Sequence, residues 1–299
     1  MALVDEYPKP DSRVEANLVQ ISGGGPAANA AVVLARQGES VSFVGQVCDD
    51  SAGQQALTLL KNEGVDVSGV AVLDQGRTQA SCIIVDQRSG TRAISTQRMP
   101  AWNTLGQTAR QLLRNASWIH TDHLGFNPVK QFFKEEGVTA PLSLDAGNPV
   151  HGLDLEYVTL YVPTVQSLLE NFGVDGADVD SSVQAAIDAG AKAVVATDGA
   201  NGSYAWWSDE AASIGQAKSQ GSVSVPADSQ TEIVSTLGAG DVFHGALIAA
   251  LLRSETWEDA LRSANFTASL SCRALDGREA VPSLQELKAT IKSSKESKK

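Results

Sequence analysis

Ser235-Thr236-Leu237-Gly238-Ala239-Gly240-Asp241 runs without a break into Val242-Phe243-His244-Gly245-Ala246-Leu247 and on through Ile248-Ala249-Ala250-Leu251-Leu252. Glycines at 238 and 240 permit a turn that other residues resist, because Gly tolerates φ > 0. The apolar run behind them is long enough for a buried helix. A glycine turn feeding a helix leaves backbone N–H groups unpaired, which suits a phosphate oxygen. Asp241 falls in the first turn, where the helix dipole favours an ionised carboxylate. A deprotonated base beside an anion hole is what moving a phosphoryl group onto an alcohol requires. The plainer alternative is a helix start that carries an acidic residue in its capping turn.

A second glycine-rich stretch lies about two hundred residues upstream: Gly23-Gly24-Gly25-Pro26-Ala27-Ala28-Asn29-Ala30-Ala31, continuing to Leu34-Ala35-Arg36-Gln37-Gly38. Its glycines let backbone approach a ligand closely, and Asn29 can both donate and accept. A tight turn before a helix would carry the same residues.

Around these two stretches, 299 residues with 42% apolar and 19% charged side chains describe a globular chain with ample core. The 23 basic and 35 acidic residues leave a net charge of −12, which argues against nucleic acid and anionic membrane as partners. Cys48, Cys82 and Cys272 fit neither a disulfide framework nor a metal spacing, and are expected as buried thiols of a cytoplasmic protein. The start is too polar for a signal peptide, and no apolar run approaches a membrane span.

Strand and helix patterns alternate along the chain, the mark of a wound α/β sheet. Helices are expected at Ala28–Arg36, Ser51–Glu63, Trp102–Asn115, Val129–Glu136, Val165–Phe172, Val183–Ala189, Thr256–Arg273 and Ser283–Ile291. Strands are expected near Ser40–Val47, Trp118–His123, Pro141–Asp145, Val158–Val162, Ala193–Thr197, Tyr204–Trp207 and Ser222–Val225. Arg13–Ser22 alternates weakly as a further strand, and residues 4–10 read as an irregular entry because of their prolines. Ser81–Asp86 and Thr91–Ser95 form a hairpin that interrupts the alternation. The Ser- and Lys-rich tail from Lys292 to Lys299 is expected to fray. Asp122 and His123 sit at a strand end, where α/β sheets bind ligands, and are candidate substrate residues. His244, one helical turn from Asp241, either faces a substrate or is packed away. There is no P-loop, no dinucleotide fingerprint, no G-x-S-x-G elbow and no H-E-x-x-H.

Thr236-x-Gly238-Ala239-Gly240-Asp241 resembles the C-terminal signature of the ribokinase-like (PfkB) carbohydrate kinases, and the Gly23–Gly38 stretch resembles their other signature. The resemblance runs from about Val4 to Pro282. It implies a three-layer α/β/α sandwich in a single domain over 1–299, with a small β-sheet lid from segments near 10–22 and 71–99. It also implies ATP-dependent phosphorylation of a hydroxymethyl group on a sugar or sugar derivative. Asp241 would be the general base, and the amides of Gly238, Ala239 and Gly240 the anion hole. Gly24, Gly25 and Asn29 would hold sugar hydroxyls. Thr197, Gly199, Gly202, Thr236 and Asn265, together with Gly277, would line ATP. Mg²⁺ would accompany the nucleotide, with a monovalent cation as a further candidate, and a homodimer through the lid is the expected assembly. The Gly-Gly-Gly-Pro-Ala-Ala and Asp-Val-Phe-His-Gly-Ala runs lean towards ketohexose-type members. A sugar- and nucleotide-binding relative without catalysis is the alternative.

Three departures from the family pattern bear on this. Ser235 replaces the usual Asp. The N-x-x-E motif that helps organise Mg²⁺ should fall at Thr164–Ser167, and neither end matches. The family's opening strand, which ends in a sugar-binding Asp, would lie before Met1. The expectation is a reading frame that begins upstream or a marginally stable enzyme, with a groove in the core where that strand would run.

Overall fold

The computed structural model describes residues 1–173, 178–227 and 231–297. In chain order it has β1 (Ala2–Val4), β2 (Ala16–Val19), α1 (Pro26–Arg36), β3 (Ser42–Cys48), α2 (Ser51–Asn62), β4 (Asp66–Leu73), β5 (Ala80–Asp86) and β6 (Arg92–Gln97). There follow α3 (Gln107–Asn115), β7 (Ile119–Thr121), α4 (Phe126–Glu136), β8 (Leu142–Ala146), β9 (Leu160–Pro163), α5 (Val165–Phe172) and α6 (Val179–Asp188). The last part comprises β10 (Ala193–Thr197), β11 (Ser203–Trp207), β12 (Gly221–Val225), α7 (Ala239–Leu252), α8 (Trp257–Ser271) and α9 (Leu284–Ser297).

The main sheet has the order β12-β11-β10-β9-β8-β7, parallel from β7 to β10 and antiparallel beyond. Alternate residues of its central strands enter two different cores, as strict alternation of side chains requires. Leu160, Val162, Ala193 and Val195 meet α7 and α8 on one face. Tyr161, Val194 and Ala196 meet the apolar stripe of α4, with Leu168 of α5 and Ala186 of α6, on the other. Both faces are therefore covered, and the result is the expected α/β/α sandwich. Helix α7 is apolar on every side, and Val242–Leu251 are all buried. A Cβ on Gly245 would lie 2.6 Å from Ala30 O, so only glycine lets α7 settle directly on α1. That close approach brings the starts of the two helices together.

Strands β3 and β4 pair in parallel as a separate ribbon. Between β3 and β7 lies a cavity of about 1180 Å³, lined among others by Val41, Phe43, Gly45, Ile119, Thr121 and Ile248. A groove thus separates the two parallel units.

Strands β2-β1-β5-β6 form a four-stranded sheet of their own. Residues 2–4, of which only Val4 belongs to the stretch read from the sequence as an irregular entry, pair antiparallel with β2 and in parallel with β5. Pro8 and Pro10 lie just beyond and do not interfere. Residues 71–73, expected with this sheet, belong instead to β4 beside β3. Helix α3 begins at Gln107 rather than near Trp102, whose indole N–H bonds Thr104 O at 3.0 Å in an irregular lead-in. The tail expected to fray is helical as far as Ser297, and residues 298–299 lie outside the described residues. Cys48 and Cys272 are buried, whereas Cys82, on β5, is exposed. No helix among the described residues is long and apolar enough to cross a membrane.

Candidate active site

The starts of α1 and α7 meet in a chain of buried polar contacts. Asn29 donates from Nδ2 to Asp241 Oδ2 at 2.7 Å and accepts at Oδ1 from Arg278 Nε, also at 2.7 Å. Arg278 donates a further hydrogen bond to Gly24 O at 3.2 Å. Its own backbone N–H is held by Asp276 Oδ1 at 2.9 Å. The Asn29 amide, expected to hold sugar hydroxyls, is therefore directed at the carboxylate and the guanidinium. Neither Arg278 nor Asp276 carried a motif. Only the chain's return beside Gly238 places them here.

The turn chemistry resides in one glycine of the pair. Gly238 caps α7 at φ +78°, and a Cβ there would lie 2.9 Å from Gly277 Cα and 3.3 Å from Asn29 Nδ2. Gly240 is ordinary helix, and a Cβ on it would meet nothing within 4 Å. The sequence reading treated the two alike; the special backbone angle belongs to Gly238 alone. Of the three amides expected as an anion hole, that of Ala239 closes a turn on Thr236 O at 3.3 Å. The amides of Gly240 and Asp241 stand in the first turn, where a helix offers no acceptor.

Asp241 is half-buried, and its carboxyl is pushed up to about 6. Burial is the main cause, and the negative charge of Asp145 adds to it, against the Asn29 hydrogen bond. Asp145 stands at the carboxyl end of β8, accepts from Gly147 N at 2.9 Å, and lies 3.0 Å from His244 Nδ1. This is an ion-pair contact rather than a well-directed hydrogen bond. Burial alone would raise Asp145, yet the His244 charge and the Gly147 N–H outweigh it and hold the carboxyl at about 2. His244 is raised for the complementary reason: burial opposes its charge, and the neighbouring Asp145 overcomes that. It is packed away, one of the two outcomes its spacing allowed.

Asp122 and His123 follow the end of β7, as their strand-end placement required. The Asp122 carboxylate is fully engaged, accepting from Leu124 N and Gly125 N at Oδ1 and from Ala27 N at Oδ2. It ties the α4 start to the α1 start. On the other side, Thr197 ends β10 beside Thr164, and Gly199 and Gly202 take φ +50° and +107° in the turn that follows. Asn265 is buried on α8, accepts from Ser203 Oγ, and donates to Val225 O and Pro226 O. Its amide is a strut that holds the ends of β11 and β12, rather than a group open to a ligand. Thr236 Oγ1 accepts from Arg92 of β6 at 3.2 Å, a direct tie between the four-stranded sheet and the glycine turn.

The Thr164–Ser167 segment is closed on itself. Thr164 caps α5 by accepting from Ser167 N at 3.0 Å, and its hydroxyl bonds Ser167 Oγ at 2.9 Å. Ser235 makes a similar local turn with Leu237 N at 3.2 Å. No group of three or more His, Cys, Asp or Glu among the described residues could hold a metal ion.

The chain is similar to known proteins over nearly its whole length. The sequence is 24% identical over 292 residues to a ribokinase of Haemophilus influenzae, covering 95% of this chain and 92% of that one. It is 25% identical over 288 residues to mouse ketohexokinase, covering 90% and 91%. Arabidopsis thaliana ribokinase, solved with ribose and ATP, superposes with a TM-score of 0.81 at 22% identity, over 97% of this chain and 94% of that one. That likeness speaks for the fold. The pattern of the pfkB family carbohydrate kinases matches residues 1–284. The chain belongs to the pfkB family of carbohydrate kinases, and its reaction is an ATP-dependent transfer of a phosphoryl group to a carbohydrate.

Proposed function

We propose that the chain phosphorylates a hydroxymethyl group of a sugar or sugar derivative, with Asp241 as the general base. The observation that carries this reading is the setting of Asp241. A carboxylate poised at about 6 stands at the positive end of a buried helix, beside first-turn N–H groups that have no partner in the helix. In the reaction the substrate hydroxyl gives its proton to Asp241 as its oxygen bonds the γ-phosphorus. The bond from that phosphorus to the bridging oxygen breaks, and its electron pair leaves with ADP. Amides at the start of α7, that of Gly240 foremost because the Ala239 amide closes on Thr236 O, hold the charge on the transferring group. Mg²⁺ bound with ATP would supply charge neutralisation on its phosphates.

In this reading Gly24 and Gly25 present backbone to the sugar, with Asp122 and His123 at the neighbouring strand end. The Thr197–Gly202 turn and Thr236 border the nucleotide. The four-stranded sheet acts as the lid, since Arg92 on it already reaches Thr236. Leu18, Val19 and Ile94 are exposed on the same sheet, which supports a homodimer formed through it. A ketohexose-type acceptor is favoured by the two signature runs, and the mouse ketohexokinase likeness is compatible with it.

Asp241→Asn keeps the shape of the helix start and removes the base. Turnover should fall about 10²–10⁴-fold, with ATP binding and the melting transition retained. ADP release with MgATP across ribose, fructose, their phosphates and nucleosides identifies the acceptor. Turnover by the Asp241→Asn variant within a few-fold of the parent, on the best acceptor, removes Asp241 from the role of base.

A further inference from the structure

One helical turn beyond Asp241 lies a cluster of buried titratable side chains outside the chain of contacts from Arg278 to Asp241. His244 is one helical turn along α7, and Asp145 faces it from the end of β8, with both side chains no more than 5% exposed. His120 of β7 stacks edge-on against His244, their ring centres 5.8 Å apart. His120 Nδ1 shares Ser143 Oγ with the Trp118 indole N–H, each at 2.9 Å. Such a cluster is costly to bury, because ions that leave water must be repaid by one another.

We propose that Asp145 and His244 are positioning residues for the transfer, a buried ion pair that acts on Asp241 from behind in two opposed senses. The His244 cation favours the carboxylate form that accepts the substrate proton. The Asp145 anion favours the protonated form, and so makes Asp241 basic enough to take that proton. Their contact at 3.0 Å stabilises both charges, and each acts on Asp241 in its own sense. The direction of every shift in the cluster agrees: Asp145 is held down, His244 is held up, and Asp241 is raised with Asp145 as the first electrostatic cause. His120, pressed against the imidazolium and deeply buried, is pushed down to about 3 and stays neutral.

The remaining groups around Asp241 are distinct from this pair. Asn29 on α1 donates to its Oδ2. Arg278, from the loop after α8, and Asp122, after β7, act on it only through charge, in opposite senses. None of them touches His244 or Asp145, so substitutions in the pair read its own effect.

The inference rests on Asp241 as the base, and its test separates the two. Three variants are compared: His244→Asn, which keeps a donor near the Nδ1 position without the charge; Asp145→Asn; and the double variant. The Asp241 carboxyl is titrated directly by carbon NMR in each folded protein, and the acid limb of kcat/KM is measured alongside. His244→Asn should move the Asp241 titration up by about one pH unit or more, since an unscreened like charge now faces it. Asp145→Asn should move it down, and the double variant should return it towards the parent value. Shifts of the same sign in both single variants, or an Asp241 titration unmoved by His244→Asn, overturn the proposal. If Asp145→Asn does not fold, the double variant and His244→Asn still decide it. If the carboxyl titration moves as stated and the kcat/KM limb does not follow, the pair acts as proposed and Asp241 is not the base.

Discussion

Helices α1 and α7 begin in similar ways and tolerate change very differently. Both are capped by a glycine at positive φ, Gly25 at +94° and Gly238 at +78°, with no side-chain cap. At α1 the space around the cap is open: a Cβ on Gly25 would come no nearer than 3.9 Å to another atom, and one on Gly24 would meet nothing. At α7 the cap is pressed between Gly277 and Asn29. The first start is a strained turn with room in front of it, and the second is a strained turn that is also a packing contact. Two glycine-capped helix starts therefore make one permissive site and one rigid site. The rigid one carries the carboxylate.

The contrast can be broken most forcefully at the caps. Gly238→Val combines an unfavourable backbone angle with overpacking against Gly277, and should cost about 2–5 kcal/mol. Gly25→Ala carries only the backbone term, about 1–3 kcal/mol. Denaturant unfolding of the two variants measures the difference, and equal losses would remove the distinction between the two starts.

Arg278 is the link that joins them. Arg278→Met fills much of the same volume but leaves the buried Asn29 carbonyl without its donor, at a cost of about 1–3 kcal/mol. With the amide free to turn over, the contact from Asn29 to Asp241 is no longer fixed, so turnover should fall together with the melting temperature. A variant as stable as the parent would show that Asn29 is oriented by α1 alone.

The pH profile sharpens the α7 side. Asp241 accepts a proton only when ionised, and its carboxyl titrates at about 6. The value of kcat/KM should be level above that pH and fall about tenfold for each unit below it. A limb near 4 would mean that the carboxylate is better solvated during the reaction than burial implies.

The smallest effect tests what the open space above Gly240 is for. Gly240→Ala should stabilise the free protein by up to about 1 kcal/mol, because alanine is the better helix former and nothing obstructs its methyl. If a phosphate sits against that turn, the same methyl should weaken ATP binding. Higher stability with unchanged ATP affinity would place the phosphate elsewhere.

Much of this molecule was legible in the chain itself. Alternation of short apolar strands with amphipathic helices reports the wound sheet, because side chains must repeat at 2.0 or 3.6 residues to bury one face. The two glycine motifs likewise report helix starts, since a capping turn is a local matter of backbone angles. What the tertiary structure decided is long-range. Gly238 and Gly240 look equivalent in sequence, and only the approach of Gly277 makes one of them indispensable. Asn29 and Asn265 look like ligand amides until Asp241, Arg278, Ser203 and Val225 close on them. Asp145 and His244 lie 99 positions apart, and no spacing in the chain links them; they meet because parallel strands deliver their carboxyl ends to the same edge that receives the start of α7. Local geometry follows from neighbours in the chain. The charge state of a buried carboxylate depends on every group that surrounds it, and those are brought together only by the fold.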